Sequence, residues 1–479
     1  MNASLRISGT VTITNSTIFG NSATSGGGGI SGSTNTSGST NVGNTLIVGN
    51  FNSSFSIDAD GPINSAGHNI IGNGQGGDRG FNQPGDIVGN NGSGNPAIPV
   101  ASVLDATLAN NGGPTLTHAL VPGSLAINAG SDALAISAVL TTDQRGLPRF
   151  VGVVDIGAFE VQPSNVAPVI QSVVNTSPDC GDAKEGQAVT VTVQFTDANA
   201  LDTHTTTINW GDGHSSVIIT AASGSGTVID SHAYSEGGID TITVTVSDGL
   251  TSDTETSPVV ITGAGVHNGV LQIIGTDRND HVTVNKQGNG LFKVHADFFA
   301  TNFRTFATSG ISQILVLLCD GDDEATVAGN ITTSVILDGG AGNDHLNGGG
   351  GLNILLGGSG KDELLGGKGR DVLIGGLGKD RLVGNDGDDL LIGGTTTFDG
   401  NYSALNGIMA LWAANLSYTQ RVTALSATLD SIVDDDDAAD KLTGSAGTDW
   451  FFANINLGLG GVLDSITDKK NNEFATDVN

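Results

Sequence analysis

The stretch from Gly339 to Ile392 reads GGAGNDHLN-GGGGLNILL-GGSGKDELL-GGKGRDVLI-GGLGKDRLV-GNDGDDLLI, six nine-residue units without a gap. Position six of the units holds Asp344, Asn353, Asp362, Asp371, Asp380 and Asp389, and position eight is leucine in every unit. Positions one, two and four are almost always glycine. So short a period with a fixed apolar position predicts a regular stack of turns and short strands, because a flexible linker would not keep a leucine at the same position of every unit.

The residue types in this period are those of a calcium site. We expect glycine at positions one, two and four to adopt φ > 0 and to leave backbone carbonyls free to face an ion. The aspartate at position six adds a carboxylate oxygen, and calcium takes six to eight oxygens at about 2.3–2.6 Å, more than one turn supplies. The candidate ligands are the residues at position six together with Gly340, Gly342, Gly349, Gly351, Gly358, Gly360, Gly367, Gly369, Gly376, Gly378 and Gly387.

The period resembles the RTX, or hemolysin-type, calcium-binding repeat. This resemblance implies Ca²⁺ as the bound ion and a parallel β-roll in which two units make one coil, so that turns on one side recur every 18 residues. One edge is expected to stack Asp344, Asp362 and Asp380, and the other Asn353, Asp371 and Asp389, with an ion between consecutive turns. The three coils then offer about four sites. The Asn353–Asp371 site is expected to be the weakest, because an amide carries no charge.

Partial copies of the unit flank the regular repeat. Residues 275–282 and 319–323 are expected to form coils of the same roll without complete calcium sites. Residues 444–451 fit the unit better and are expected to belong to a C-terminal cap. The roll is therefore predicted over residues 266–398, with its regular part at 339–392.

Two amphipathic helices are predicted after the repeat ends. Leu405, Ile408, Met409 and Trp412 recur at helical spacing. Ser417 and Gln420 form the signature of a capping box ahead of a second stripe of Tyr418, Val422, Leu425 and Leu429. We expect residues 399–479 to be a helical and β capping region that closes the open end of the roll, with partner binding as the alternative role of the helices.

Residues 166–262 have the alternation of a two-sheet β-sandwich. Clear strands are read at 188–195 and 241–246, after a linker at 161–165. The Trp-Gly-Asp-Gly turn at 210–213, His-x-Tyr at 232–234 and the closing Val246-Ser247-Asp248 resemble a PKD domain. That resemblance implies an immunoglobulin-like spacer, with Trp210 in its core.

Residues 1–160 read as short strands separated by Gly, Ser and Asn. Two apolar residues followed by Gly-Asn recur at Ile18, Ile47, Ile70 and Ile87. Each apolar pair is expected to face the interior of a parallel β-helix coil, with Gly-Asn at a φ > 0 corner and with stacked asparagines. The strings at 111–130, 142–146 and 155–160 resemble the end of the right-handed β-helix of choice-of-anchor and polymorphic outer-membrane proteins. The pattern starts in mid-coil at Leu5, so we expect further coils upstream.

Composition excludes several classes of function. The 479 residues carry 49 acids against 18 bases, a net charge of −31, which excludes an electrostatic nucleic-acid binder and argues against an anionic membrane partner. No apolar run is long enough for a membrane-spanning helix. Cys180 and Cys319 are too few and too far apart for a disulfide framework or a zinc site.

The sequence as a whole predicts an all-β, modular protein that binds calcium, is not an enzyme, and lies outside the bacterial cell or on its surface. The RTX resemblance implies type I secretion and calcium-dependent folding after export. Polysaccharide or another surface protein is the expected partner in a structural or adhesive role. The alternative is a secreted polysaccharide-active enzyme whose catalytic groups lie in the β-helix. Asp143 and Arg145 are the nearest candidates there, and we expect them to form a structural ion pair.

Overall fold

The computed structural model describes residues 9–24, 26–32, 39–53, 57–75, 77, 79–162, 165–199, 202–221, 223–456 and 462–478. Strands dominate, as the all-β prediction requires. The helices are Asp132–Ser137, Tyr402–Trp412 and Tyr418–Leu429, with a 3₁₀ turn at Val100–Ser102. None of the helices in these described ranges is long and apolar enough to cross a membrane. The chain forms two compact units, Met1–Ser164 and Asn165–Asn479.

The first unit is a stack of short parallel strands. Its four parallel sets are Val11–Thr14 with Thr40–Gly43 and Asn64–Gly67; Thr17–Phe19 with Leu46–Val48, Ile70–Ile71 and Ile87–Val88; Ser22–Ala23 with Phe51–Asn52; and Ile30–Ser31 with Ala59–Asp60. Ile18 pairs with Ile47, and Ile71 pairs with both Ile47 and Val88. Short parallel strands at irregular spacing are therefore present in the described residues, the β-helix itself stays a prediction, and Leu5 lies outside the described residues.

Both residues of each apolar pair were expected to face the coil interior, but the two residues point to opposite faces of the sheet. Ile47 and Ile71 point into one core with Val42, Ala59 and Phe81. Their neighbours Leu46, Val48 and Ile70 point to the opposite face, where Val103, Leu104, Leu120, Ile156 and Phe159 cover them. The expectation was wrong on this point because adjacent strand residues alternate between the faces of a sheet, and residues 98–161 bury the second face.

The Gly-Asn corners follow the prediction in part. Gly20 and Gly49 have φ of 72° and 67°, but at the last corner Asn90 takes the left-handed conformation, with φ of 46°. The asparagines do stack: the Asn21 side-chain amide donates to Asn50 Oδ1 at 3.0 Å, and that of Asn90 donates to Asn73 Oδ1 at 2.9 Å. These bonds tie successive coils together at the corners.

The second unit begins with the expected β-sandwich. One sheet contains Val169–Asn175, Ala188–Thr196 and Ser225–Ala233, and the other contains Ser215–Thr220, His204–Asn209, Gly238–Ser247 and Ser252–His267, with Ala183–Lys184 beside the last strand. Trp210 and Phe195 are 1% and 2% exposed in the core between them. The Tyr234 hydroxyl donates to the Trp210 carbonyl at 2.8 Å, which ties the two motif segments together.

The sandwich and the roll share a strand. Ser252–His267 pairs with Gly238–Ser247 through residue 261 and with Val270–Ile274 from residue 263 onward, so it crosses the boundary expected between 262 and 266. Cys180 and Cys319, expected to be too few and too far apart for a disulfide framework, form a single disulfide between the two parts. Glu185 and Arg304 add an ion pair across the same junction.

Two sheets face each other in the roll. The first roll sheet contains Val270–Ile274, Gln313–Leu317, Ser334–Gly342, Asn353–Gly360, Val372–Gly378, Leu390–Ile392, Trp450–Ala453 and Phe474–Asp477. The second roll sheet contains Arg304–Ala307, Leu291–Ala296, His281–Lys286, Glu324–Val327, His345–Asn347, Glu363–Gly367, Arg381–Asp386, Lys441–Ala446 and Ser465–Ile466. The position-eight leucines Leu346, Leu355, Leu364, Leu373, Leu382 and Leu391 are all 0% exposed between them.

The two helices lie on the flank of the roll, not at its open end. They pack on the outer face of the first roll sheet, where Leu405, Ile408, Trp412 and Leu425 meet the sheet residues Ile354, Leu356, Val372, Ile374, Leu390, Ile392, Trp450 and Phe452. The end-cap expectation was wrong because every second unit is apolar at positions seven, eight and nine, so its strand has two faces to bury. A short antiparallel pair, Thr395–Thr396 with Val433–Asp434, closes the inserted segment, and the roll then continues.

Candidate calcium site

The position-six side chains form two ladders along the edges of the roll. In each ladder, the backbone N–H of one residue donates to Oδ1 of the residue one coil further on. The Asp344 N–H donates to Asp362 and the Asp362 N–H to Asp380, both at 2.8 Å. On the other edge the Asn353 N–H donates to Asp371 and the Asp371 N–H to Asp389, both at 2.9 Å. The 18-residue spacing expected from the sequence is thus the register of both edges, here named the Asp362 ladder and the Asp371 ladder.

Both ladders are longer than the regular repeat. The Asp362 ladder runs through Asp280, Asp323, Asp344, Asp362, Asp380, Asp440 and Asp464, and the Asp371 ladder through Asn353, Asp371, Asp389 and Asp449. Sequence reasoning missed Asp440 and Asp464, and it assigned Asp449 to a cap. Asp440-Lys-Leu442 and Asp464-Ser-Ile466 keep the Asp-x-apolar end of the unit. That tripeptide was the available signal, although the helical insertion moves it 60 residues from its ladder neighbour Asp380.

The second carboxylate oxygen of most ladder residues is buried without a partner. Within the described part of the chain, no hydrogen-bond donor reaches Oδ2 of Asp323, Asp344, Asp362, Asp371, Asp380, Asp389, Asp440 or Asp449. Burial raises the pKa of Asp371 to about 7, of Asp380 to about 8 and of Asp389 to about 9. Desolvation is the largest cause in each case, and for Asp389 the neighbouring Asp371 charge raises the pKa further. A row of buried, unpaired oxygens is costly unless a cation neutralises it.

Glycine is required in the turns for two different reasons. At position one, a Cβ on Gly357 would lie 2.5 Å from Asp362 Oδ2, and one on Gly339 would lie 2.3 Å from Asp344 Oδ2. These glycines do not have positive φ, so that part of the expectation was wrong, and the close approach of the carboxylate is the reason for them. At position four, Gly360 does have φ of 143°, and its Cβ would lie 1.6 Å from the Gly342 carbonyl oxygen.

The other candidate glycines divide in the same way. Positive φ is found at Gly340, Gly342, Gly358, Gly360, Gly367, Gly376, Gly378 and Gly387. Gly349, Gly351 and Gly369 do not share it; a Cβ on Gly369 would instead lie 1.8 Å from the Gly351 carbonyl oxygen. Carbonyls of one turn therefore point at the bare Cα atoms of the next, beside the unpaired Oδ2 atoms.

The ends of the Asp362 ladder differ from its middle. The Asp280 carboxylate accepts from the Thr276 N–H at 2.6 Å and from the Thr276 hydroxyl at 2.9 Å. Asp464 Oδ2 accepts from the Asn454 N–H at 2.7 Å. Asp280 thus has the satisfied carboxylate expected of an incomplete site, but Asp323 has a free Oδ2 like the regular turns.

Charged residues of the first unit also converge, but they are buried. Arg145 pairs with Asp143 at 2.8 Å and Arg149 with Glu160 at 3.6 Å, and each of these side chains is at most 7% exposed. The Arg149 guanidinium also donates to the carbonyls of Asp155 and Gly157. Partners supplied by the chain itself, away from solvent, are those of a structural network rather than of a substrate groove.

The donor set of the ladders fits calcium. Carboxylate oxygens and backbone carbonyls both lie beside the turn glycines, as Asp362 Oδ2 and the Gly375 carbonyl do at Gly357. Hard oxygen donors of this kind suit Ca²⁺, whereas the softer metals prefer nitrogen or sulfur. The unpaired Oδ2 atoms are the observation that a resident cation accounts for. The fold and the ladders together define a calcium-binding β-roll module.

Comparison with known proteins agrees with this description. Residues 336–364 and 365–395 match the family described as RTX calcium-binding nonapeptide repeat (4 copies). No curated protein matches the chain. Among solved structures, the chain is similar to the PKD domain of an M14-like peptidase from Thermoplasmatales archaeon SCGC AB-540-F20, at 27% identity over 20% of this chain and 98% of that chain, with a TM-score of 0.18.

The repeat-family match confirms the RTX prediction and indicates calcium binding, with Ca²⁺ as the ion. Repeats of this family are typical of secreted or surface proteins of bacteria. The choice-of-anchor resemblance of residues 1–160 finds no counterpart in these comparisons and stays a prediction.

Proposed function

We propose that the roll is a calcium-dependent folding module of an extracellular, structural or adhesive bacterial protein. In this proposal each ion binds between consecutive turns of a ladder. Its ligands are the position-six carboxylates, of which Asp344, Asp362, Asp371, Asp380 and Asp389 were expected and Asp323 and Asp440 are added, together with carbonyls of the position-two and position-four residues. The unpaired, buried Oδ2 atoms are the observation that carries the proposal.

The proposal couples folding to calcium through the balance of forces in each coil. A unit orders nine residues, several of them glycines that lose much backbone freedom. In return, a unit of the second roll sheet buries little more than its leucine. Without metal, the coil must also bury carboxylates that repel one another. Calcium removes this cost, so binding and folding should occur together.

The calcium affinity expected of the roll indicates where it folds. Extracellular calcium modules bind at about 10⁻⁴–10⁻³ M. A roll of that affinity stays unfolded at the low calcium of the cell interior and folds after export, in keeping with type I secretion. The sandwich and the stacked coils of the first unit then act as spacer and surface, with polysaccharide or another surface protein as partner. The buried Asp143–Arg145 network gives no support to the enzyme alternative.

The test is a calcium titration of the full chain, followed by circular dichroism and by calorimetry. We expect β-signal and heat to appear together in the range of about 0.1–1 mM calcium, and magnesium at the same concentration to produce neither. Magnesium is the matched control because it demands a smaller octahedral site and retains its waters. A chain with the same β-signal in chelator as in calcium would refute calcium-dependent folding. Equal binding of magnesium would refute a calcium site.

A further inference from the structure

We propose that the Lys470 ammonium takes the place of a calcium ion at the Asp449 turn, the last turn of the Asp371 ladder among the described residues. The row of calcium ions then ends at a positive charge that the chain itself supplies. The inference deepens the proposed function, on which it rests. It concerns the turn 444–449 and the turn 468–473 stacked on it. Its consequence is that this end of the roll depends least on calcium for its order.

The Lys470 ammonium lies among the oxygens expected of a calcium site. Nζ donates to the carbonyls of Ser445 and Gly447 at 2.9 and 3.0 Å, and to Glu473 Oε1 at 2.9 Å. The unpaired Asp449 Oδ2 lies 3.8 Å away. Ser445, Gly447 and Asp449 occupy positions two, four and six of their turn. The ammonium thus contacts the kind of atoms that we assign to an ion elsewhere in the ladder.

The strand register places Glu473 one coil beyond Asp449. Trp450 pairs with Phe474, so Glu473 is aligned with Asp449 one coil further on. Lys470 then occupies position three of a last turn that has lost its glycines. Asp468 holds this turn in place by accepting from the N–H groups of Gly444 and Ser445 at 2.9 and 2.6 Å.

Asn353 makes a similar arrangement at the opposite end of the same ladder. Its side-chain amide donates to the carbonyls of Gly349 and Gly351, again positions two and four, at 3.4 and 3.2 Å. Between the two ends, Oδ2 of Asp371 and of Asp389 meets no donor within the described ranges. Side-chain nitrogen donors therefore contact the carbonyls of positions two and four at both ends of the ladder.

Chemistry explains why a lysine suits the terminal position. Among the described residues the site offers four oxygens, so calcium, which takes six to eight, would need water to complete its ligands there. An ammonium needs only three acceptors, and it has them here. Its charge also offsets the carboxylates of Asp449 and Glu473. We therefore assign calcium in this ladder to the turns of Asp371 and Asp389, and the built-in cation to the turn of Asp449.

The experiment compares Lys470→Met with Lys469→Met in the full chain, by calorimetry and by hydrogen exchange. We expect Lys470→Met to bind one more calcium ion than the wild type, and to exchange the amides of Phe474–Asp477 at least about tenfold faster in chelator, with protection restored by calcium. Lys469→Met, which removes a neighbouring charge, should match the wild type in both. Unchanged stoichiometry in Lys470→Met would overturn the proposal.

A measurement on the wild type keeps the proposal testable if the variant fails to fold. In chelator, the amides of Phe474–Asp477 should stay better protected than those of the central strand Val372–Gly378. The reverse order would overturn it. A wild type that binds no calcium would remove the proposed function itself. A wild type that binds calcium, with the same number of ions in Lys470→Met, would remove only this inference.

Discussion

At the scale of single residues, Asp371 shows how a ladder carboxylate is held by one oxygen and left unpaired at the other. It accepts from the Asn353 backbone and side chain through Oδ1, donates its own N–H to Asp389, and keeps Oδ2 unpaired at 0% exposure. In the proposed arrangement it serves an ion with a full charge. Asn353 is equally buried but closes its own turn with an amide.

We therefore expect Asp371→Ala to weaken calcium binding more than Asn353→Ala does. Losing a charged ligand costs about 2 kcal/mol or more, which corresponds to at least a tenfold loss of affinity. Asn353→Ala should lose mainly neutral hydrogen bonds and change the affinity by a few fold. Calorimetric titration of both variants measures the difference. Equal losses would contradict the assignment of charge to the centre of the ladder.

The raised carboxyl pKa values predict an inverted pH dependence for the metal-free roll. Asp371 and Asp389 have a pKa of about 7 and about 9 in the folded chain, against about 3.9 when unfolded. The folded state therefore holds protons that the unfolded state releases. Metal-free stability is then greatest below about pH 4 and falls as the pH rises through that value toward 9.

Thermal melts at pH 5, 6.5 and 8 measure this dependence. Tryptophan fluorescence can follow them because Trp412 packs on the first roll sheet and Trp450 belongs to it. In calcium-free buffer the midpoint should fall as the pH rises, and the melt of the roll should be lost by pH 8, where the charged carboxylates keep it unfolded. In excess calcium the midpoint should rise, since the ion binds the deprotonated carboxylates. A calcium-free midpoint that rises with pH would show that the ladder carboxylates are not buried as described.

At the scale of elements, the helix pair stabilises one sheet and leaves the other to its own ladder. Trp412 is 0% exposed, and its indole N–H donates to the Asp388 carbonyl at 2.8 Å. The helix begins at an Asn401 cap, and the next one begins at the predicted Ser417–Gln420 capping box. The helices are thus firmly placed on the flank of the roll.

Trp412→Ala should destabilise the roll by about 3–5 kcal/mol, the usual cost of truncating a buried aromatic side chain. The loss should appear in saturating calcium, where the roll is folded, because most of the Trp412 side chain is buried against apolar residues of the sheet. Leu411→Ala is the matched control, since Leu411 is 44% exposed on the same helix. Denaturant unfolding measures both. A Trp412→Ala variant as stable as Leu411→Ala would contradict the packing described.

At the scale of the whole second unit, the sandwich and the roll are connected by a shared strand, a disulfide and an ion pair. The shared strand Ser252–His267, the Cys180–Cys319 disulfide and the Glu185–Arg304 ion pair all cross one junction. The disulfide closes a loop of 139 residues. A cross-link over so long a loop restricts the unfolded chain strongly.

Replacing both cysteines by alanine should lower the stability of this unit by about 4 kcal/mol in calcium. The fold itself should persist, because the shared strand keeps its pairing. Thermal unfolding of the oxidised wild type and of the double variant measures the loss, and the reduced wild type serves as the control that should match the variant. A double variant as stable as the oxidised wild type would show that the bond contributes nothing.

The sequence by itself determined the features that depend on short spacing. The nine-residue period predicted the turns and the buried leucines, because each unit repeats the same local geometry, and the RTX resemblance implied the 18-residue register. Alternation predicted the sandwich strands at 188–195 and 241–246 and placed Trp210 in their core. The Leu405–Trp412 stripe and the Ser417 capping box predicted both helices. Apolar triplets such as Ile354-Leu355-Leu356 also indicate that one roll sheet is buried on both faces.

Only the tertiary structure decided which distant segments meet. Asp440 and Asp449 join the ladders 60 residues after their neighbours, because an inserted helix pair interrupts the period without interrupting the stack. The helices lie on a flank rather than at an end because they bury the outer face of the first roll sheet. The Cys180–Cys319 bond and the position of Lys470 among the oxygens of another turn follow from the closure of long loops. Local spacing contains no information on such closure, since it is the packing of the completed coils that brings these residues together.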